Sequence, residues 1–126
     1  MAKTAISTND APQAIGPYSQ AIEHAGIIYL SGQIPLDPKT MQMVGTTAAE
    51  QAEQVMKNLQ GLLRAAGVGF EHVVRTTIFL TDLADFTTVN EIYARFLVAP
   101  FPARATVQVA ALPRGAKLEI DMIAAR

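Results

Sequence analysis

Arg104, Thr106 and Glu119 are the residues of this chain whose types and spacing could do chemistry together. Arg104 begins the run ARATVQVA, directly after Pro100 and Pro102. Glu119 sits in KLEIDMIAA, the run that follows the turn ALPRGA. Suppose the two runs are neighbouring antiparallel strands with Thr106 opposite Glu119. Arg104 then faces Asp121 and Gln108 faces Lys117, all on one side. Ala105, Val107 and Val109 face Ile120, Leu118 and Ala116 on the other. A slip of one residue would mix polar with apolar residues on both faces, so the pattern selects this register. Arg104 and Glu119 become diagonal neighbours, roughly 7–8 Å apart and within reach of long side chains. The apolar side suits a helix layer, and the polar side is expected to point away from it.

Two chemistries fit that pair. The plainer one is a cross-strand ion pair on a solvated face, which stabilises little. The other is a clamp. A planar guanidinium binds a carboxylate or phosphate through two parallel hydrogen bonds, with a carboxylate nearby to act as acid or base. The residues alone leave both open.

Other constellations carry less. His24 and His72 are far apart, with no partner at metal-ligand spacing, so no metal site is expected. Gly67-Val68-Gly69 follows a helical pattern instead of opening one, so it is no dinucleotide fingerprint. Ser31, in LSGQI, would need a base beside it to act as a nucleophile, and the sequence names none. Asn90 in a helical stretch reads as a surface polar residue. Tyr18, after a Gly-Pro turn, reads as packing.

These residues need elements to hold them. QAIEHAG and IIYLSGQI read as two strands joined near Ala25-Gly26; Ile28, Leu30 and Ile34 share one face and Tyr29, Ser31 and Gln33 the other. TTAAEQAEQVMKNLQGLLRAAG is the clearest helix. Thr47 and Glu50 form a capping box, and Gly67 is a suitable stop. Ala52, Val55, Met56, Leu59, Leu62, Leu63 and Ala66 make its apolar stripe. VVRTTIFLT is rich in β-branched residues and reads as a strand. DLADFTTVNEIYARFL reads as a second helix that buries Phe86, Val89, Tyr93, Phe96 and Leu97 and ends at the prolines. The order is β-β-α-β-α-β-β, preceded by a short extra strand at residues 4–8. The expected fold is α+β: one domain over residues 1–126, with a single mixed or antiparallel sheet of about six strands and two helices on one face.

Composition narrows the partners. The net charge is -1 and there is no basic cluster, which argues against nucleic acid. No apolar run is long enough to span a bilayer. The absence of cysteine removes disulfides and thiolate chemistry, and the N-terminal residues lack the apolar core of a signal peptide. A cytoplasmic protein is expected. Charged residues are only 17% of the chain, against about 25% in an average domain. So few charges leave apolar surface for another copy to cover.

The motifs IGPYSQA, LSGQIPLDP, FLTDLADFTTVNEIYARF and FPARATVQVAALPRGAKLEIDMIA, in this order, resemble the RidA (YjgF) family of reactive-intermediate deaminases. The resemblance covers the chain from about residue 3 to its end. It implies a fold like that of a Bacillus-type chorismate mutase, assembled as a homotrimer with clefts between subunits. It also implies hydrolysis of 2-imino acids, such as 2-iminopropanoate and 2-iminobutanoate, to 2-oxo acids and ammonia, without cofactor or metal. The imines arise from enamines released by PLP-dependent dehydratases. By the resemblance Arg104 binds the substrate carboxylate and Glu119 positions water. Tyr18, Ser31, Gly32 and Asn90 match further motif positions that line the site. Thr106, also placed in the site, stands where many bacterial members carry a cysteine, so thiol-based regulation is not expected. The competing reading is a module that binds 2-oxo acids without important turnover. Ribonuclease activity, attributed to some relatives, lacks a basic stripe here. Chorismate mutase activity would rest on one arginine and a fold analogy. Light scattering is expected to give the mass of three chains; a monomeric mass overturns that expectation.

Overall fold

The computed structural model describes residues 2–126. Eight main elements follow in order: β1 (Thr4–Ile6), β2 (Ala21–His24), β3 (Ile27–Gln33), α1 (Ala48–Ala65), β4 (Val73–Leu80), α2 (Phe86–Phe96), β5 (Ala103–Gln108) and β6 (Leu118–Ala125). The strands form one mixed sheet in the order β1-β2-β3-β6-β4-β5. β1, β2 and β3 pair antiparallel, β6 pairs antiparallel with both β3 and β4, and β5 runs parallel to β4 at the edge.

α1 forms as its sequence dictates. The Thr47 hydroxyl accepts from the Glu50 N–H (3.2 Å), and the Glu50 carboxylate accepts from the Thr47 N–H (3.2 Å), so each satisfies an otherwise free donor. The stripe from Ala52 to Ala66 is at most 5% exposed. Gly67 ends the helix at φ +78°, a conformation glycine adopts without a Cβ clash. α2 departs from expectation at its ends. A 3-10 turn at Leu83–Asp85 precedes it, and Ile92 joins Val89, Tyr93 and Leu97 in the core. Phe86 remains 37% exposed, and Phe96 is only partly buried.

The neighbour of β5 differs from the one inferred above. α2 joins β4 to β5 as a crossover, long enough to let the two strands run parallel side by side. β6 therefore does not form a hairpin with β5. It fills the slot between β3 and β4, where Leu118, Ile120, Met122 and Ala124 are at most 1% exposed. A strand that buries every second residue this fully needs neighbours on both edges, whereas β5, with Ala103, Val107 and Gln108 exposed, tolerates an edge.

The faces change with the neighbours. Met122, Thr76 and Arg104 lie in one row beneath the helices, and Ile120, Ile78 and Thr106 form the next row. Glu119, Phe79 and Val107 form a row on the uncovered face, as do Asp121, Thr77 and Ala105. The inferred pairing of Thr106 with Glu119, and the placing of Ala105 and Val107 against the helices, are both overturned. A bulge in β3 makes a second correction. Ser31 and Gly32 together oppose the single residue Asp121, because Leu30 pairs with Met122 and Gln33 with Ile120. The extra residue turns Gln33 to the helix face, where it is 6% exposed.

Buried polar side chains hold the loops. Gln20 donates to the carbonyls of Thr8 (3.1 Å), Ala11 (3.1 Å) and Pro12 (2.7 Å) and accepts from the Thr8 N–H (2.8 Å). Asn58, fully buried in α1, donates to the carbonyls of Ile34 and Leu36. In urea unfolding, Ile120→Ala is expected to cost about 2–5 kcal/mol, because it opens a cavity in the central strand. Thr47→Ala is expected to cost about 0.5–2 kcal/mol, the worth of one cap.

Candidate functional site

Arg104 is held by one face of α2. Phe86, Asn90 and Tyr93 are spaced so that all three lie on that face. The Arg104 Cζ lies over the Phe86 ring at 5.6 Å from its centroid and over the Tyr93 ring at 5.2 Å. Arg104 Nη1 donates to Asn90 Oδ1 at 2.5 Å. Tyr93 is fixed in turn, because its hydroxyl shares a 2.9 Å hydrogen bond with the buried Thr76 hydroxyl. Burial raises the Tyr93 phenol above its ordinary pKa, with the Thr76 hydrogen bond and Arg104 opposing, so it stays neutral at physiological pH. Beside this cradle is a cavity of about 430 Å³, lined by Asn90, Tyr93, Ala94, Phe101, Pro102 and Arg104.

Nothing in the cradle neutralises the guanidinium. Among the described residues the ion pairs are Lys57–Glu53, His72–Glu71 and Arg126–Glu23, and Arg104 is in none of them. The cross-strand ion pair with Glu119 is thereby excluded within the chain. Thr106, two residues further along β5, has a buried hydroxyl with no hydrogen-bond partner, and no other buried side-chain polar atom among the described residues lacks one. Such an atom costs about 1–3 kcal/mol unless something satisfies it.

Glu119 belongs to a second cluster on the uncovered face. Its carboxylate packs against Gly32, where an added Cβ would overlap the carboxylate and displace it. Ser31 ties the same bulge to the segment that carries Tyr18. Its hydroxyl donates to the Ser19 carbonyl (2.6 Å), and its N–H donates to the Gln20 carbonyl (3.0 Å). Tyr18 is 52% exposed. Burial first, and repulsion from Asp121 second, raise the Glu119 carboxyl above its ordinary 4.5. Arg104 does not offset this within one chain, because the two lie on opposite faces and two strands apart.

The structure thus sorts the anticipated residues into two groups. Arg104, Asn90 and Thr106 stand together at the β5 edge under α2. Glu119, Gly32, Ser31 and the Tyr18 segment stand together on the other face, beside β3. Sequence reasoning missed Phe86, Tyr93 and Thr76 as partners of Arg104. The helical spacing of 86, 90 and 93 was a usable signal, but its aromatic members read as ordinary core. Asp121 was misplaced opposite Arg104. Among the described residues no three histidine, cysteine or acidic side chains cluster as a metal site, and no helix is long and apolar enough to cross a membrane.

A two-layer α+β domain with an unneutralised arginine at one edge, and a carboxylate set into a glycine bulge on the other face, defines the class. The model of the family described as Endoribonuclease L-PSP matches residues 8–126. The chain is 53% identical over 119 residues to the human 2-iminobutanoate/2-iminopropanoate deaminase, covering 94% of this chain and 87% of that protein. Among solved structures, the YjgF gene product of E. coli superposes with TM-score 0.93 at 44% identity, covering 98% of each chain. E. coli TdcF with bound serine superposes with TM-score 0.93 at 40% identity, again covering 98% of each chain. The chain belongs to the RidA/YjgF/L-PSP family.

The charge environment of Glu119 gives a prediction about pH. A group that must be ionised to accept a proton loses function as pH falls through its pKa. Asp121→Asn removes the neighbouring like charge, so the acid limb of any Glu119-dependent activity is expected to move to lower pH. A pH profile of kcat/KM for the two proteins checks it; a limb that stays in place removes Asp121 from the electrostatics of the site.

Proposed function

We propose that this chain hydrolyses small 2-imino acids to 2-oxo acids and ammonia, as a homotrimer whose sites lie between subunits. One observation carries the reading: Arg104 keeps its full charge, gripped only by neutral groups beside a cavity, and so is ready for a carboxylate. The name of the human relative supports imine deamination, and the serine in TdcF supports a small carboxylate-bearing ligand.

The separation of the two clusters supports a composite site. Arg104 and Glu119 face opposite sides of one sheet, so a site using both takes them from different copies. One copy supplies Arg104, Asn90 and Thr106; its neighbour supplies Glu119, Gly32, Ser31 and Tyr18. The uncovered face offers contact surface for such assembly, since Tyr29 and Val107 are 46% and 41% exposed there. Arg104 binds the substrate carboxylate through two N–H groups, and the Gly32 N–H assists, because glycine allows close approach. Glu119 holds a water over the iminium carbon and takes its proton as the C–O bond forms. The carbinolamine nitrogen then gains a proton, the C–N bond breaks, and ammonia leaves as the carbonyl forms. Protonated imines hydrolyse readily in water, so positioning and one general base suffice, the base contributing roughly a hundredfold to ten-thousandfold.

An assay coupled to a PLP-dependent dehydratase, reading ammonia release, tests this. Arg104→Ala is expected to lower kcat/KM about a hundredfold or more. Glu119→Gln is expected to keep assembly and 2-oxo acid binding but slow turnover about a hundredfold or more. Trimers mixed from the two variants should regain activity, on the order of a quarter of the sites being intact by random assembly. Full rate in Arg104→Ala overturns the reading. No recovery on mixing overturns the shared site. Binding of 2-oxo acid without faster ammonia release favours a binding module instead.

A further inference from the structure

The cradle around Arg104 is made of uncharged groups only, and the rings in it do more than fill space. Phe86 and Tyr93 are seven residues apart on α2, which is two turns or about 10.5 Å along the helix. The guanidinium carbon lies over both rings, 5.6 Å from one centroid and 5.2 Å from the other. Asn90, one turn after Phe86, takes Nη1 from the helix side. Both rings therefore cover the guanidinium while an amide carbonyl anchors one corner, and the remaining N–H groups are left at its edge. A carboxylate partner would have fixed the arginine equally well but would have cancelled its charge. Cation–π contacts hold the cation and leave the charge for a ligand.

The second ring is itself braced. Tyr93 is 5% exposed, and its hydroxyl is tied to Thr76, which is fully buried and is the cross-strand neighbour of Arg104. Phe86 has no such packing. At 37% exposed it is the member of the clamp that gives up burial, although it occupies an apolar position of an amphipathic helix. A phenylalanine left partly in water over a buried-side arginine is explained by that contact.

We propose that Phe86 and Tyr93 are positioning residues of the active site. They hold the Arg104 guanidinium against two ring faces, so that it presents its N–H edge to a planar carboxylate while keeping its charge. This rests on the reading that Arg104 grips a substrate carboxylate. Phe86 sets the affinity for that carboxylate and contributes nothing to the water-attack step.

Phe86→Leu and Phe86→Trp test the idea, since Phe86 lies outside the tightly packed core. The probe ligand is 2-oxobutanoate, its Kd measured by calorimetry alongside KM and kcat in the coupled assay. Leucine keeps the apolar contact but removes the ring. It is expected to raise both Kd and KM about threefold to tenfold, with kcat within about twofold of wild type. Tryptophan restores a ring face and is expected to recover most of the loss. Wild-type Kd and KM in Phe86→Leu overturn the proposal. So does a Phe86→Trp variant as weak as Phe86→Leu, or a loss that falls on kcat instead of KM. Thermal unfolding run in parallel identifies misfolding, and in that event Phe86→Tyr and Phe86→Met replace the pair with the same expectations. Arg104→Ala, measured in the same series, separates the two levels. Full activity there removes the carboxylate-binding reading itself; a large loss there with no effect at Phe86 removes only the clamp.

Discussion

A strand that enters a sheet between two others must satisfy hydrogen bonds along both of its edges. β6 meets that condition, and the two layers depend on it. Its alternation sends Leu118, Ile120, Met122 and Ala124 under the helices, fully buried. The same alternation sends Glu119 and Asp121 to the uncovered side. The Glu119 carboxylate is therefore placed by the demands of the core. Its position cannot shift by one residue without exposing four buried side chains.

Much of this architecture was legible because local signals agreed. Thr47, Glu50 and Gly67 bound α1, and its stripe is wholly buried. The β-branched run at 73–80 became a strand, and the two helices share one face of the sheet. What could not be read was neighbourhood. Alternation in ARATVQVA and KLEIDMIAA tells which residues share a face within each strand, but not which strand lies alongside. The hairpin was the simplest local solution; burial of β6 on both edges was the stronger global one. The bulge at Ser31-Gly32 was equally silent in sequence, since one extra residue leaves the alternation before it unchanged and reverses everything after. Arg104, Thr106, Glu119 and Ser31 do lie at strand positions, as their runs suggested. Their division between two faces followed only from strand order.

That division also reframes the electrostatics. Arg104 has a positive charge with no anion, and Glu119 has a carboxyl that burial and Asp121 make reluctant to ionise. Each is unfavourable alone. Each is the kind of group whose cost is relieved by a ligand or by the opposite charge. The unsatisfied Thr106 hydroxyl, two residues from Arg104, belongs with them. Three such groups in a small chain are a cost to the stability of the single copy.

The central place of β6 has one more effect, which concerns how the chain is made. Five strands are synthesised before it, and until it arrives β3 and β4 have no partner between them. Their facing edges then expose unpaired backbone groups, flanked by side chains destined for the core. Such edges invite pairing with another chain. The sheet can close only when its sixth strand has left the ribosome, so the two facing edges stay open from the synthesis of β4 until that of β6.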